Sequence, residues 1–339
     1  MVYIPFIILL NGSVDLSGYA EDRAFLAWQD SLYFYGYNRA WLELKTADAY
    51  YGAQSAFDCY VPYDSAYTFG IKNGISLARL AVWLGPENVR MTAGKQRILW
   101  GVARIFRPLD IFNPTNFFEP GYEHPGVNSL QFNLALDRLT SIRLLCLPQF
   151  KISSLELAGR LGSNLFKNDI GLNAYYRPSD EKFILGTDLA GDLFLGYWAE
   201  LTYTRAVNAD YFKTSAGVDY TLPFLVYFMF EYFHDQSGEP DPSDYDYTKI
   251  ITEGRSTLAQ DYVYCSLMYA RNMIVRPAVN AIINFDDRGF IIMPQVSYQV
   301  WENTELDFGL NYSVGSDVSE FKNIAGFNGM VFIWAKVYF

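Results

Sequence analysis

Long apolar runs are missing from this chain of 339 residues. A membrane-spanning helix needs about 18 or more consecutive apolar residues, and the longest candidates, Val2 to Leu10 and Leu222 to Phe230, fall short. A helical membrane protein is therefore ruled out. Cysteine is scarce: Cys59, Cys146 and Cys265 lie far apart and form no C-x-x-C pair, so the sequence offers neither a disulfide framework nor a zinc ligand set. With only His124 and His234, a histidine-built metal centre is not expected, and no cofactor is implied. Positive charge is in deficit, with 26 Lys and Arg against 37 Asp and Glu and a net charge of −11. Nucleic acid is a poor partner for such a chain, because phosphate binding needs a basic footprint. No repeat of fixed period suggests a propeller or solenoid, and a separate N-terminal plug domain is not expected.

What the chain has in quantity is rings and alternation. Aromatic residues make up 18% of the sequence, including 27 Tyr and 26 Phe, and charged residues 19%. The mean hydropathy is +0.01. A barrel spreads its membrane signal over alternating segments of about ten residues with aromatic girdles, which suits this balance. Leu130, Phe132, Leu134 and Leu136 interleave with Gln131, Asn133, Ala135 and Asp137. Ile170, Leu172, Ala174 and Tyr176 interleave with Asp169, Gly171, Asn173, Tyr175 and Arg177, and Leu306, Phe308, Leu310 and Tyr312 with Glu305, Asp307, Gly309 and Asn311. Successive strand side chains point to opposite faces, so each run reads as a strand with one apolar and one polar face. Around Leu222 to Phe233 and Val263 to Tyr269 both faces are apolar or aromatic, and the pattern blurs.

These runs and the turn residues between them predict about eighteen strands, at 14–29, 34–46, 49–61, 75–85, 87–97, 127–136, 139–150, 153–162, 168–178, 181–191, 195–205, 211–220, 224–235, 259–270, 273–286, 289–300, 303–313 and 326–339. Sixteen strands is the alternative. The expected fold class is all-β, a transmembrane antiparallel β-barrel. Connections after even-numbered strands are short, whereas three long ones, near 62–74, 98–126 and 236–258, follow odd-numbered strands. That segregation fits short periplasmic turns at one end and longer outer loops at the other, with both termini in the periplasm. A sandwich predicts no such sidedness.

The last segment, Gly329 to Phe339, puts Val331, Ile333, Ala335, Val337 and Phe339 on one face and Phe332, Trp334, Lys336 and Tyr338 on the other. Ending on Tyr338 and Phe339, it resembles the terminal signal that outer-membrane proteins present to the barrel assembly machinery. Parity elsewhere collects Arg39, Glu43, Lys45, Arg79, Arg143, Glu156, Arg160, Asp169, Arg177, Asp188, Glu200, Arg276, Glu305, Asp307 and Lys336 on inward faces. A charge facing lipid near the midplane costs about 2–4 kcal/mol, so confinement to one parity points to a wet interior. Barrels of about sixteen to eighteen strands leave an aqueous channel unless loops fill it. A salt-bridged, closed interior is the other arrangement these charges allow.

Met91 to Pro114 is the most specific segment. Gly94, Lys95, Gln96, Gly101 and Arg104 resemble the Gly-(Lys/Arg)-Gln-x-x-x-x-Gly-x-x-Arg stretch of porin-like bacterial outer-membrane β-barrels, including the alginate-export type. A Pro-Leu-Asp and Asn-Pro run follows, as in uncharacterised porin-like members of that group. The resemblance implies an eighteen-stranded outer-membrane barrel with a charged pore, acting as a passive channel for small or oligomeric polar solutes. On the residues themselves, Gly94 and Gly101 interrupt the alternation, as glycine does at bulges and close approaches. The connection 98–126 carries Pro108, Pro114, Pro120 and Pro125, and a loop so long inside a compact barrel is either functional or disordered. We expect it to fold into the lumen, with Lys95, Gln96, Arg97, Arg104 and Arg107 forming a constriction that favours anions. The alternative is that the arginines sit in surface salt bridges or pair with lipopolysaccharide phosphates.

Residues 1–13 read either as a signal-peptide remnant cut short, Ile4 to Leu10 being an apolar core without a basic start, or as the lead-in to the first strand. Residues 14–339 are expected to form one barrel domain. The loop bearing Asp235, Glu239, Asp241, Asp244 and Asp246 lacks the fixed glycine and terminal glutamate of an EF-hand and reads as solvated. Catalysis is not expected: there is no G-x-S-x-G elbow, although His124 or His234 is available as a base for Ser129 or Ser237. The alternatives to a channel are a closed structural or adhesive barrel and an outer-membrane hydrolase. Expected partners are outer-membrane lipid, lipopolysaccharide, the barrel assembly machinery and a polar solute, and the oligomeric state is left open.

Overall fold

The computed structural model describes residues 13–63, 74–112, 125–149, 151–207, 209–269, 274–324 and 328–339. Strands β1 to β6 are Val14–Trp28, Leu32–Ala47, Tyr51–Pro62, Gly74–Leu84, Val89–Gln96 and Val127–Ala135. Strands β7 to β12 are Thr140–Leu147, Glu156–Leu165, Asn168–Arg177, Lys182–Asp192, Gly196–Arg205 and Asp210–Thr221. Strands β13 to β18 are Val226–Asp235, Asp261–Tyr269, Val275–Asn284, Phe290–Trp301, Thr304–Val314 and Gly329–Tyr338. Each pairs antiparallel with its neighbours in sequence, and β1 pairs with both β2 and β18. The sheet therefore closes into an eighteen-stranded barrel without a free edge, which sets aside the sixteen-strand alternative. The α-helices described, α1 (Thr248–Thr252) and α2 (Glu320–Ile324), are single turns within connections.

The period-two pattern becomes an inside and an outside. Leu80, Val82 and Leu84 on β4, Leu172 and Tyr176 on β9, and Val331, Ile333 and Val337 on β18 are exposed on the outer surface. Their alternates face inward: Ala81 on β4, Asn173 and Tyr175 on β9, Met330 and Phe332 on β18 are all buried. Apolar outside and charged inside is the reverse of a soluble barrel, and only an apolar surround makes it favourable. At the seam, the backbones of Gly18 and Phe339 exchange both hydrogen bonds at 3.0 Å. A Cβ on Gly18 would stand 2.2 Å from the Trp41 carbonyl oxygen and 2.9 Å from the Phe339 ring. Glycine there lets the terminal ring lie against β1.

The two ends differ. Connections after even-numbered strands are short, such as 48–50, 85–88, 166–167 and 302–303. The long ones at 97–126 and 236–260 follow β5 and β13, and 63–73 follows β3. A fourth, 315–328 with α2, was not among the three expected, and it too follows an odd-numbered strand, β17. Residues 1–12, read as a leader remnant or lead-in, lie outside the described residues, as do 113–124 of the connection after β5.

Candidate functional site: the lumen and its inward-folded connection

Past β5 the chain leaves the wall and enters the barrel. Gly94 (φ +126°) and Gly101 (φ +90°) are its two left-handed glycines here. Ile98, Trp100, Ala103, Phe106 and Leu109 are buried. Ile98 and Trp100 pack on Leu145, Leu147, Ala158, Tyr175 and Ile184 of β7 to β10. Ala103 and Phe106 pack on Trp198, Met229, Phe233 and Tyr262 of β11, β13 and β14. Phe106 stacks on Phe233, with centroids 4.9 Å apart and planes within 5°. In the ring of eighteen, β11 and β13 lie far round from β5, so residues 97–112 cross the interior.

An irregular segment inside a barrel must find partners for its backbone N–H groups. Here two wall carboxylates supply them. Glu200 on β11 accepts from the N–H groups of Val102, of Ala103 at 2.7 Å and of Leu109 at 3.1 Å. Glu231 on β13 accepts from Arg104 at 2.8 Å, Ile105 at 3.1 Å and Phe106 at 2.6 Å, and from the Trp198 indole N–H at 2.7 Å. Consecutive N–H groups aimed at one point form an anion-binding concavity, and the anions bound are the wall's own side chains. Gly101 is obligatory: besides its φ, a Cβ would lie 2.1 Å from Glu200 Oε1. Pro108 has no N–H and falls in the gap between the donors of the two groups.

The residues expected at a constriction separate. Arg104 is exposed, its guanidinium 5.2 Å from the centre of the Trp198 ring, and Arg107 Nε donates to the Ala103 carbonyl at 3.1 Å. Arg97 is exposed. Gln96 points inward and donates to Ser129 Oγ at 2.9 Å, bracing β5 on β6. Lys95 does not join them. It pairs in register with Leu80 on the outward parity of β5, and its Nζ donates to the Leu77 carbonyl at 2.7 Å. The pairing of β5 runs unbroken through Gly94, so Lys95 shares the outward parity of Val89 and Met91.

Across the lumen, β18, β1, β2, β3 and β4 carry a packed charge cluster. Arg39 grips Asp58 with two hydrogen bonds of 2.9 Å, and Glu21 lies 2.8 Å from Arg23, 3.5 Å from Arg39 and 3.8 Å from Lys336. Arg79 approaches Glu43 at 3.9 Å. Rings hold the cations from the sides, Arg23 over Trp334 at 4.4 Å and Lys336 over Tyr19 at 3.6 Å. The sequence reading missed Glu21, Arg23, Asp58 and Glu231. Parity on β1, Tyr19–Glu21–Arg23–Phe25, was the signal for the first two.

Other inward charges bind locally. Arg160 pairs with Asp188 at 2.5 and 2.8 Å and with Asn173 at 2.8 Å. Arg143 donates to Asn133, Glu156 accepts from Tyr175 and Gln149, and Arg276 pairs with Glu305. Ser297 donates to Asp307. Lys45 is exposed near the short-turn end, where Asp169 accepts from Asn164, and Arg177 sits at the other end against Asp180. In the acidic loop, Asp241 and Asp246 accept from the N–H groups of Ser243 and Thr248, while Glu239 pairs with Lys249 at 3.2 Å. His234 lies on the outward parity of β13 against Asp261 at 2.9 Å, and Ser237 donates to Asp235. His124 lies outside the described residues.

No family model and no curated protein sequence matches the chain. Solved structures do, along nearly the whole length. Pseudomonas aeruginosa OccK9 (OpdG) superposes with a TM-score of 0.67 at 10% identity, covering 96% of this chain and 99% of that one. The fold is that of an outer-membrane barrel. The outer membrane protein OprD of the same organism gives 0.66 at 7% identity, over 96% and 94% of the two chains. The outer membrane protein opdK gives 0.65 at 8%, over 96% and 98%. At such identities the likeness is one of fold.

Proposed function

We propose that this chain is a bacterial outer-membrane channel through which small or oligomeric polar solutes diffuse passively, with a preference for anions. One observation carries the reading: residues 97–112 are built into a charged lumen and pinned there by Glu200 and Glu231, with Arg104 presented beside Trp198. An exposed Arg104 carried into the lumen on that segment supports a path for solute over a closed interior. The exposed apolar belt supports a lipid surround, and the eighteen-stranded fold it shares with OprD supports the outer membrane as its place. The likeness of residues 94–104 to the alginate-export type is the ground for including oligomeric solutes. Lipopolysaccharide around the outer rim, and an assembly machinery that reads Tyr338 and Phe339, complete the set of partners. We read the chain as a channel and not an enzyme.

The test is single-channel recording from refolded protein in a planar bilayer, with the reversal potential measured across a potassium chloride gradient. Discrete anion-preferring steps that shift toward cations in the Arg104→Gln, Arg107→Gln double variant are expected. Silence from demonstrably inserted protein would refute the channel and favour the closed structural barrel.

A further inference from the structure

Glu320, in the first turn of α2, is fully buried without an ion-pair partner among the described residues. Its Oε1 accepts from the Leu258 N–H at 2.8 Å, and its Oε2 accepts from Asn284 Nδ2 at 2.9 Å and from the Tyr262 hydroxyl. Its own N–H donates to Asp287 Oδ2 at 2.6 Å. One residue thus ties together the connections 236–260, 285–289 and 315–328 and the ends of β14 and β15. The Tyr262 oxygen in turn accepts from the N–H of Ala259 at 2.6 Å. The same Tyr262 ring lies 5.7 Å from Phe106 and 6.3 Å from Phe321. A continuous line of contact therefore runs from Glu320 through Tyr262 to the segment that crosses the lumen.

We propose that Glu320 is a positioning residue for the constriction: its buried carboxyl docks the connections 236–260 and 315–328 onto residues 102–109, and its ionisation loosens that docking. The inference rests on the channel reading for its consequence, though not for its structural test. The groups facing Glu320 are Asp287 from 285–289, Tyr245 and Tyr247 from 236–260, and Tyr262 from β14. None is a cation. Burial pushes the Glu320 carboxyl up from 4.5 to about 7, outweighing the hydrogen bonds from Tyr262, Leu258 and Asn284, and Asp287 pushes the same way. Burial also raises the Asp287 carboxyl. A group raised in the docked state and ordinary when released favours docking most below about pH 4.5, and that advantage is lost as pH rises to about 7. The interval corresponds to a docked-to-released ratio falling by up to about 300-fold.

Amide hydrogen exchange on the refolded barrel, corrected for intrinsic rates, reads this directly. Protection at 256–260 and 102–109 should fall by up to about 150-fold between pH 4.5 and pH 8, and the Glu320→Gln variant, neutral at this position throughout, should lose most of that fall. Brief closures in single-channel records should become more frequent in the wild type over the same range and not in the variant. Wild-type protection that ignores pH, or a variant that keeps the wild-type dependence, would overturn the assignment. A protein that shows the exchange pattern but never conducts would keep the latch and refute the channel.

Discussion

Replacing Glu231 by alanine should free the segment that narrows the lumen. Four donors converge on this carboxylate: the N–H groups of Arg104, Ile105 and Phe106, and the Trp198 indole. Hydrogen bonds to a charged group contribute about 1.5–3 kcal/mol each, but they do not sum here. Burying Glu231 has its own desolvation cost, lumen water can reach the freed N–H groups, and Phe106 keeps its stack on Phe233. A net loosening of about 2–4 kcal/mol is the reasonable range, and about 3 kcal/mol moves the docked-to-free ratio more than 100-fold. Glutamine should rescue little. Each carboxylate oxygen of Glu231 serves two donors, so an amide NH2 would face two N–H groups it cannot accept from. The assay is open-channel conductance, joined to liposome swelling with sugars of graded size. Larger, noisier currents and a raised size limit are expected for Glu231→Ala, and more so for the Glu200→Ala, Glu231→Ala double variant. Unchanged conductance and size limit in a double variant whose barrel is intact would refute the idea that residues 97–112 set the constriction.

Gly101→Ala should reproduce the loss of Glu200, because the added Cβ meets Glu200 Oε1 at 2.1 Å and the residue must hold φ at +90°; the same conductance assay checks it. Arg39→Met should lower the urea midpoint of folding, by about 3–5 kcal/mol in stability, since Asp58 and Glu21 are left buried with one cation fewer. An Asp58→Asn, Arg39→Met double variant should recover part of that loss, and a midpoint unchanged in the single variant would show the pair to be dispensable. Phe339→Ala should reduce the amount of barrel assembled in cells while leaving the refolded protein able to conduct, because the seam at Gly18 is made by backbone groups; an equal loss in both assays would mean that the ring is structural.

Strand parity was legible in the sequence because it is a local property: a β-strand turns its side chains over every residue, so alternation alone sorts inside from outside. That is why the eighteen segments could be placed within a few residues and why Arg39, Arg160 and Glu200 could be put inward without knowledge of their neighbours. Gly101 was likewise visible as an interruption, whereas Gly94, expected to be one, lies within β5, whose pairing runs through it unbroken. Where the alternation blurred, on β13 and β14, the structure gives the reason. Their inner faces carry Met229, Phe233, Tyr262 and Tyr264 because they meet Phe106 and its neighbours instead of water, and the blur itself marked the docking wall. Which carboxylate captures which N–H could not be read along the chain. Glu231 lies among aromatics, and Glu320 meets Leu258, Tyr262 and Asn284 from three separate segments. Those pairings join residues tens of positions apart and depend on closure of the barrel, which brings β5, β11, β13 and β17 around one interior. The sequence by itself determined the barrel and its two faces, since both follow from backbone periodicity. The tertiary structure alone decided what fills the lumen, because that rests on contacts across it.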